Sequence, residues 1–467
     1  MASALCTLLF LSHLFSHVAS SSIKESDFDG RIITRDVCII GGGSSGTYSA
    51  VRLNQQGKSV AVIEKQALLG GHTKTYVDPA TRAPINIAVR VWEDTPTVKS
   101  YMSYLGVGLK TVNFSAQTGV VNSFADFGSG SPIPASSLPA ANPGPGLVSY
   151  MNQLSKYPFL DNGFDLPSPV PSDLLEPFGN FLKKYGLDSI AYTVYQTGQG
   201  LGNFLAQPAI YVLKNFNANV VKGYLGVFVA AASNDNHELY DKALAKLGSD
   251  VHLKSTVRHI TRTGDMIQVA VTTPEGDVLI KAKKLLISIP PKLEQLSFLD
   301  LEGEEKDLFK QFNNTFYWAG IVRNSGIPDN VQLQPLALTA PFGIPTMPIL
   351  YVIQPSGIPG LHQVYFGSSN EMSDEQVKSS ILSTIAKVVA GAKYPPAPGP
   401  VEFVAFENHK PFTLAVSADA IKNGFYRKLN ALQGKRNTWW TGAAWQTHDS
   451  SQIWDYTEKN VLPHLLK

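Results

Sequence analysis

The run Gly41-Gly42-Gly43-Ser44-Ser45-Gly46 constrains this chain more than any other, because it follows directly on Asp36-Val37-Cys38-Ile39-Ile40. That preceding stretch is short, apolar and rich in β-branched residues, the pattern of a parallel strand covered on both faces. Gly41, Gly43 and Gly46 fill the three positions of G-x-G-x-x-G, with Ser45 just ahead of the last. The first glycine permits a tight turn, the second lets backbone approach a pyrophosphate, and the third packs helix on strand. Ala50, Val51 and Leu53 then mark the apolar face of a helix ending near Gly57. Val60-Ala61-Val62-Ile63 reads as a second strand with Glu64 at its end, where a carboxylate accepts the ribose hydroxyls of an adenosine. Unpaired N–H groups at the helix start near Ser44 favour the pyrophosphate anion. Strand, glycines, helix, strand and acid in register predict a dinucleotide-binding βαβ unit, and an acid at position 64 argues for FAD or NAD over NADP.

Past Glu64-Lys65 comes Leu68-Leu69-Gly70-Gly71-His72-Thr73, a second glycine pair that a simple NAD dehydrogenase does not need. It lets backbone pass close to a further part of an extended cofactor. At the other end, Trp439-Trp440-Thr441-Gly442-Ala443-Ala444 has the form of a strand arriving at a turn. Asp449 and Gln452 have capping-box spacing ahead of Ile453, Trp454, Tyr456, Val461 and Leu462. A helix aimed N-terminus first at whatever lies beside Gly442 is predicted, a place where a reduced flavin anion is stabilised.

From Asp36 to its C-terminus the chain resembles the flavin-containing amine oxidase superfamily, most closely its fungal branch of beta-cyclopiazonate dehydrogenase-like FAD-dependent oxidoreductases. The likeness rests on DVCIIGGGSSGTYSAVRL, VIEKQALLGGHTKTYVDP, VHLKSTVRHITR, KKLLISIPP and TWWTGAAWQTHDSSQIWDYTEKNVLP. It implies FAD as the cofactor and adds Val257 at the adenine end, through backbone, with Gly442 and Ile453 at the flavin end. These join Gly41, Gly43, Ser45, Gly46, Glu64, Lys65, Gly71 and His72 from the two glycine turns. The chain also departs from the superfamily. His72 stands where amine oxidases commonly carry arginine, and the absence of a cysteine near the C-terminus rules out a thioether link to flavin. A histidyl link through His72 or His448 stays open beside the simpler unlinked state. Many amine oxidases place a lysine opposite flavin N5; the matching stretch Asn314 to Val322 carries Tyr317 and Trp318 and no lysine, which argues against simple amine oxidation.

Val257 to Pro290 alternates apolar and polar residues and turns at Thr263-Gly264-Asp265 and Pro274-Glu275-Gly276-Asp277, predicting a three-stranded meander that ends in a buried strand, Lys284 to Ile289. The expected fold class is α/β. A Rossmann-like FAD-binding domain (βαβ with three-stranded meander) from about 35–110, 225–300 and 405–467 is interleaved with an α+β substrate domain, amine-oxidase-like, from 111–224 and 301–404. Ser115 to Gly146 reads as strands with loose connections. The resemblance places Tyr192 to Leu201 near the substrate. Tyr195, Tyr317, Trp318 and Phe412 are the candidates for lining a planar, apolar substrate pocket, although aromatics serve equally as core.

At 467 residues, with 44% hydrophobic and 16% charged, the chain can bury a sizeable core. A net charge of +2 without a basic stripe argues against nucleic acid as a partner. No H-E-x-x-H, paired Cys-x-x-Cys, Walker loop or Ser/His/Asp order occurs, so metal, NTPase and hydrolase readings lack support, and no second G-x-G-x-x-G offers NADPH a site. Met1 to Ser20 reads as a secretory signal peptide, with Leu5 to Val18 apolar and Ala19-Ser20 as cleavage site. Asn113-Phe114-Ser115 and Asn313-Asn314-Thr315 are glycosylation sequons compatible with that route. With Cys6 in the signal, Cys38 alone remains, so the mature chain has no internal disulfide. No other apolar stretch is long enough to span a membrane. The expected function is dehydrogenation or oxidative cyclisation of a small organic molecule, of the fungal secondary-metabolite kind, by hydride transfer to flavin N5, which requires no side-chain acid–base pair. Molecular oxygen or another acceptor takes the electrons. The alternatives are an amine oxidase producing hydrogen peroxide, a non-catalytic flavoprotein, and an NAD-dependent dehydrogenase.

Overall fold

The computed structural model describes residues 23–114, 119–139, 142–395 and 397–467; the expected signal peptide and Ser115 of the first sequon lie outside them. The glycine-centred unit forms as β1 (Ile32–Ile40), α1 (Ser44–Gln55) and β2 (Val60–Ile63). β1 begins before the apolar run because Ile32 to Arg35 pair with Leu279 to Ala282. Val37 to Ile40 and Val60 to Ile63 are buried throughout, as strands flanked on both faces must be.

The first sheet runs in the order Val251–His252, β2, β1, Gly276–Ile287, Ile267–Thr273, Thr256–Thr261. The last three strands are the expected meander. Its long strand does two things. Residues 276–282 pair antiparallel with Ile267–Thr273, and Leu285 to Ile287 pair in parallel with Thr438–Trp440. β1 runs parallel to this strand along its whole length, so Ile40 lies beside Ile287 and Ile287 beside Trp440. The turns that follow these three residues therefore leave the sheet at one edge, although some 400 positions separate Gly41 from Gly442.

A second sheet has the order Glu402–Asn408, Phe316–Arg323, Leu361–Ser368, Ile349–Pro355, Val331–Pro335, Val121–Ala125. Helix Asp374–Ala392 buries Val377, Ile381, Ile385 and Val388, a stripe at helical spacing, in a core cluster with residues of this sheet such as Trp318, Val364 and Phe366. A capping box starts it: Ser373 Oγ accepts from Gln376 N–H at 3.2 Å and Gln376 Oε1 accepts from Ser373 N–H at 2.9 Å.

Two expectations need adjusting. Residues 402–408 belong to the second sheet, because their backbone completes the ladder of Phe316–Arg323; a boundary at 405 would cut that strand, and the chain rejoins the first sheet only at Thr438. Between Ser115 and Gly146 the only described strand is Val121–Ala125, and a helix, Gly144–Leu154, begins where loose connections were expected. No helix of the described residues is long and apolar enough to cross a membrane.

Candidate cofactor groove and active site

The three fingerprint glycines are glycine for different reasons. Gly41 has φ +101°, and a Cβ there would lie 2.6 Å from Ile289 Cγ2 and 2.8 Å from Ser288 Oγ. A Cβ on Gly46 would sit 1.9 Å from the Gly41 carbonyl oxygen, so this residue sets how closely α1 packs on the turn. Gly43 is unlike both. Its φ of −70° suits any residue, and the nearest protein atom to its Cβ position is 3.9 Å away. Nothing in the protein forbids a side chain at 43; what a side chain would fill is the groove itself, which fits a pyrophosphate lying against the turn. Gly71, with φ +55°, faces it, its own Cβ position 3.0 Å from Gly43 Cα.

Ser288 Oγ, 2.9 Å from both the Ile40 and Gly41 carbonyl oxygens, fixes the turn from beneath. Glu64 closes it from the side: one carboxylate oxygen accepts from Gly42 N–H at 2.7 Å and the other from Gln66 N–H at 2.7 Å. Each oxygen keeps a further lone pair for a ribose hydroxyl. Ser255 N–H donates to the Glu64 carbonyl and Lys254 N–H to the Gln66 carbonyl, which brings Val257 to the same wall.

A single cavity of about 1270 Å³ takes in Gly41, Gly43, Ser45, Glu64, Lys65, Gly71, His72, Val257, Gly442, Ile453, Tyr317 and Phe412. The turn at Gly442 (φ +109°) is held where its Cβ position lies 3.6 Å from Ser45 Oγ and Ser288 O, so the two ends of the chain meet. Helix Ser450–Tyr456 starts at the cavity wall, capped by Asp449, whose carboxylate accepts from Gln452 N–H at 3.1 Å. The box is only half made: the Gln452 side chain donates instead to Glu93 Oε1 at 3.0 Å. Trp454 Nε1–H donates to Ser44 Oγ at 3.0 Å and binds this helix to α1.

Beyond Gly442 the wall turns aromatic. Phe412 stacks on Tyr317 at 4.8 Å and on His448 at 4.3 Å, while His72 lies 4.7 Å from His409 and 6.2 Å from His448. Burial holds all three imidazoles neutral, lowering His409 to about 3 and His448 to about 4 and His72 well below its ordinary value, with the Lys74 ammonium adding to the effect at His72 and His409. His448 Nε2–H donates to the Phe412 carbonyl at 2.7 Å; His409 Nε2 is buried with no partner among the described residues.

Three expected residues do not reach this cavity. Trp318 follows Tyr317 on a strand, so it points to the opposite face, where it is fully buried and its Nε1–H donates to Asp374 Oδ1 at 3.0 Å. Tyr195 packs among Tyr192, Phe204 and Tyr351 in the core, while its neighbours Gln196, Thr197 and Gln199 reach the wall. Gly46 lies behind the turn as a packing residue. Sequence reasoning also passed over His409, Arg90 and Glu93, none of which stands in a motif. Glu93 is buried and accepts from Asn217, Asn219 and Gln452; burial, then the Asp449 carboxylate, pushes its pKa up.

A Rossmann-like sheet that opens onto one long groove ending in an aromatic chamber defines a flavin-dependent oxidoreductase with an amine-oxidase-like fold. Residues 39–105 match the NAD(P)-binding Rossmann-like domain. The chain is 41% identical over 446 residues to the FAD-dependent oxidoreductase oblC of Cochliobolus heterostrophus, covering 93% of this chain and 92% of that one. It is 34% identical over 451 residues to the beta-cyclopiazonate dehydrogenase of Aspergillus oryzae, covering 91% and 92%. Its fold is that of a putrescine oxidase solved with putrescine, at TM-score 0.65 and 16% identity over 93% of this chain and 100% of the other. The chain belongs to the family of fungal FAD-dependent oxidoreductases that includes beta-cyclopiazonate dehydrogenase.

Proposed function

We propose that this enzyme dehydrogenates, or oxidatively cyclises, a small planar molecule of the fungal secondary-metabolite class, with oxygen as the final electron acceptor. FAD supplies the two-electron acceptor when bound. The turn at Gly41 and Gly43, with the start of α1, cradles the pyrophosphate, and Ser45 and Gly71 flank it. Glu64 holds ribose beside Lys65, the backbone at Val257 meets adenine, and His72, Gly442 and Ile453 border the ring system. Tyr317 and Phe412, stacked 4.8 Å apart at the chamber wall, offer flat apolar faces that orient a planar substrate. Three neutral imidazoles and the surrounding aromatics keep water away from the reacting carbon.

The observation that carries this reading is the adjacency of Ile40, Ile287 and Trp440, which puts both cofactor-binding turns on one groove. The test is spectroscopic. Purified protein should show the visible flavin band, a substrate added without oxygen should bleach it, and air should restore it. A band that no metabolite of the producing organism bleaches would make this a non-catalytic flavoprotein, and failure to recover in air would remove oxygen as acceptor. Passage through the secretory pathway belongs to the same proposal, supported by the apolar N-terminal segment and the exposed Asn313; a loss of apparent mass on deglycosylation of the native protein is expected.

A further inference from the structure

Arg90 stands on the wall of the chamber with Tyr317 and Tyr365, and the way it is held is unusual. The residue before it, Val89, is β-branched yet has φ +49°, a strained conformation that persists only where the surroundings impose it. Asn236 imposes it. This fully buried side chain donates to the Val89 carbonyl at 2.7 Å and the Arg90 carbonyl at 3.0 Å, while its oxygen accepts from Ala231 N–H at 3.0 Å. The guanidinium in turn is aimed by a chain of amides. Arg90 Nη1–H donates to Gln354 Oε1 at 3.1 Å, Gln354 Nε2–H to Gln363 Oε1 at 2.8 Å, and Gln363 Nε2–H to the Asn86 carbonyl at 2.7 Å.

All this positioning serves a cation with no counter-ion. No carboxylate of the described residues lies within 4 Å of Arg90, and no residue outside the described ranges is acidic. The acids on the cavity wall are Glu64, Glu294, Glu407 and Asp449, and none of them is its partner. Beside it, Tyr365 is 5% exposed and its hydroxyl has no hydrogen-bond partner among the described residues. Arg90 acts electrostatically on the Tyr365, Tyr317 and Tyr224 phenols, pulling against the burial that raises them. A half-buried guanidinium with free donors next to a buried free hydroxyl is a site for a delocalised oxyanion.

We propose that Arg90 and Tyr365 form an anion anchor in the chamber, and that the substrate is an acid whose carboxylate or ionised enol they hold while its flat body lies against Tyr317 and Phe412. The proposal rests on the chamber being the substrate site, and it names the substrate's class.

The experiment titrates the flavin-loaded enzyme with two matched pairs and follows the flavin spectrum: indole-3-acetate against indole-3-acetamide, and dimedone, an acidic enol, against its enol methyl ether. At least one acid should bind tighter than its neutral partner by about tenfold or more, the size of a charge-assisted hydrogen bond. The pair that shows the preference tells carboxylate from enol. Arg90→Gln should abolish the preference at unchanged flavin content, Arg90→Lys should keep part of it, and Tyr365→Phe should reduce it several-fold. Equal binding within both pairs, no binding by either acid, or a preference that survives Arg90→Gln overturns the anchor. A wild-type protein without the flavin band would instead overturn the functional reading.

Discussion

At the scale of single residues, the fingerprint glycines separate what the fold needs from what the cofactor needs. Gly46→Ala forces a methyl group onto the Gly41 carbonyl, 1.9 Å from the ideal Cβ position, and no rotamer relieves a backbone clash. It should destabilise the protein by about 1–3 kcal/mol or more, seen as a lower Tm even in protein stripped of flavin. Gly43→Asp meets open space and should leave the Tm of stripped protein near that of wild type, while removing bound flavin by collision and charge repulsion at the pyrophosphate. The two variants should thus fail in opposite assays. Gly43→Asp that keeps the yellow colour, measured as flavin per protein, would show that the pyrophosphate lies elsewhere.

At the scale of elements, the strand Phe316–Arg323 sorts its own aromatics by alternation. Tyr317 faces the chamber and Trp318 the helix Asp374–Ala392. Trp318→Ala should cost roughly 3–5 kcal/mol of stability by opening a core cavity. Tyr317→Ala should spare flavin content and raise the KM or lower the turnover of the true substrate; equal loss of Tm in both variants would refute that division. The same strand shows why the chamber was less legible than the groove. β1, α1, β2 and the meander declare themselves through local periodicity and turn residues, so their positions read correctly from 36 to 63 and from 257 to 287, while the start of β1 at Ile32 did not. Aromatic residues carry no mark of pocket or core until the register of a strand or the face of a helix is known, and so Tyr195 and Trp318 stood beside Tyr317 and Phe412 as equals. His409, Arg90 and Glu93 were silent because their roles come from partners far along the chain, such as Asn236 and Asn217.

At the scale of the whole molecule, the groove is enclosed by segments from both ends of the chain, and enclosure buries charges whose titration then belongs to folding. His72, His409 and His448 have folded-state values below the usual histidine value. The unfolded chain binds more protons there, so their contribution is present above the ordinary histidine range and is lost as pH falls. Glu93 and Asp449 are raised, by burial first, so the folded state holds protons that the unfolded state releases. Their sign is opposite: stability declines as pH climbs from the ordinary carboxylate range, and Glu93 extends that decline to about pH 8. Between the two ranges the lowered histidines, joined by His252 and His362, outweigh the two acids; above the histidine range Lys214, which burial lowers to about 7, adds stability as pH rises and opposes Glu93. Stability of the flavin-loaded enzyme, read as Tm or a urea midpoint, should therefore climb with pH up to the ordinary histidine pKa of about 6.5 and change much less just above it. Glu93→Gln removes the higher-titrating of these two acids while keeping its shape, so in that variant stability should rise more steeply with pH from the ordinary carboxylate range to about pH 8. An unchanged slope across that window would mean that Glu93 is already ionised in the folded protein, with Asn217, Asn219 and Gln452 outweighing its burial.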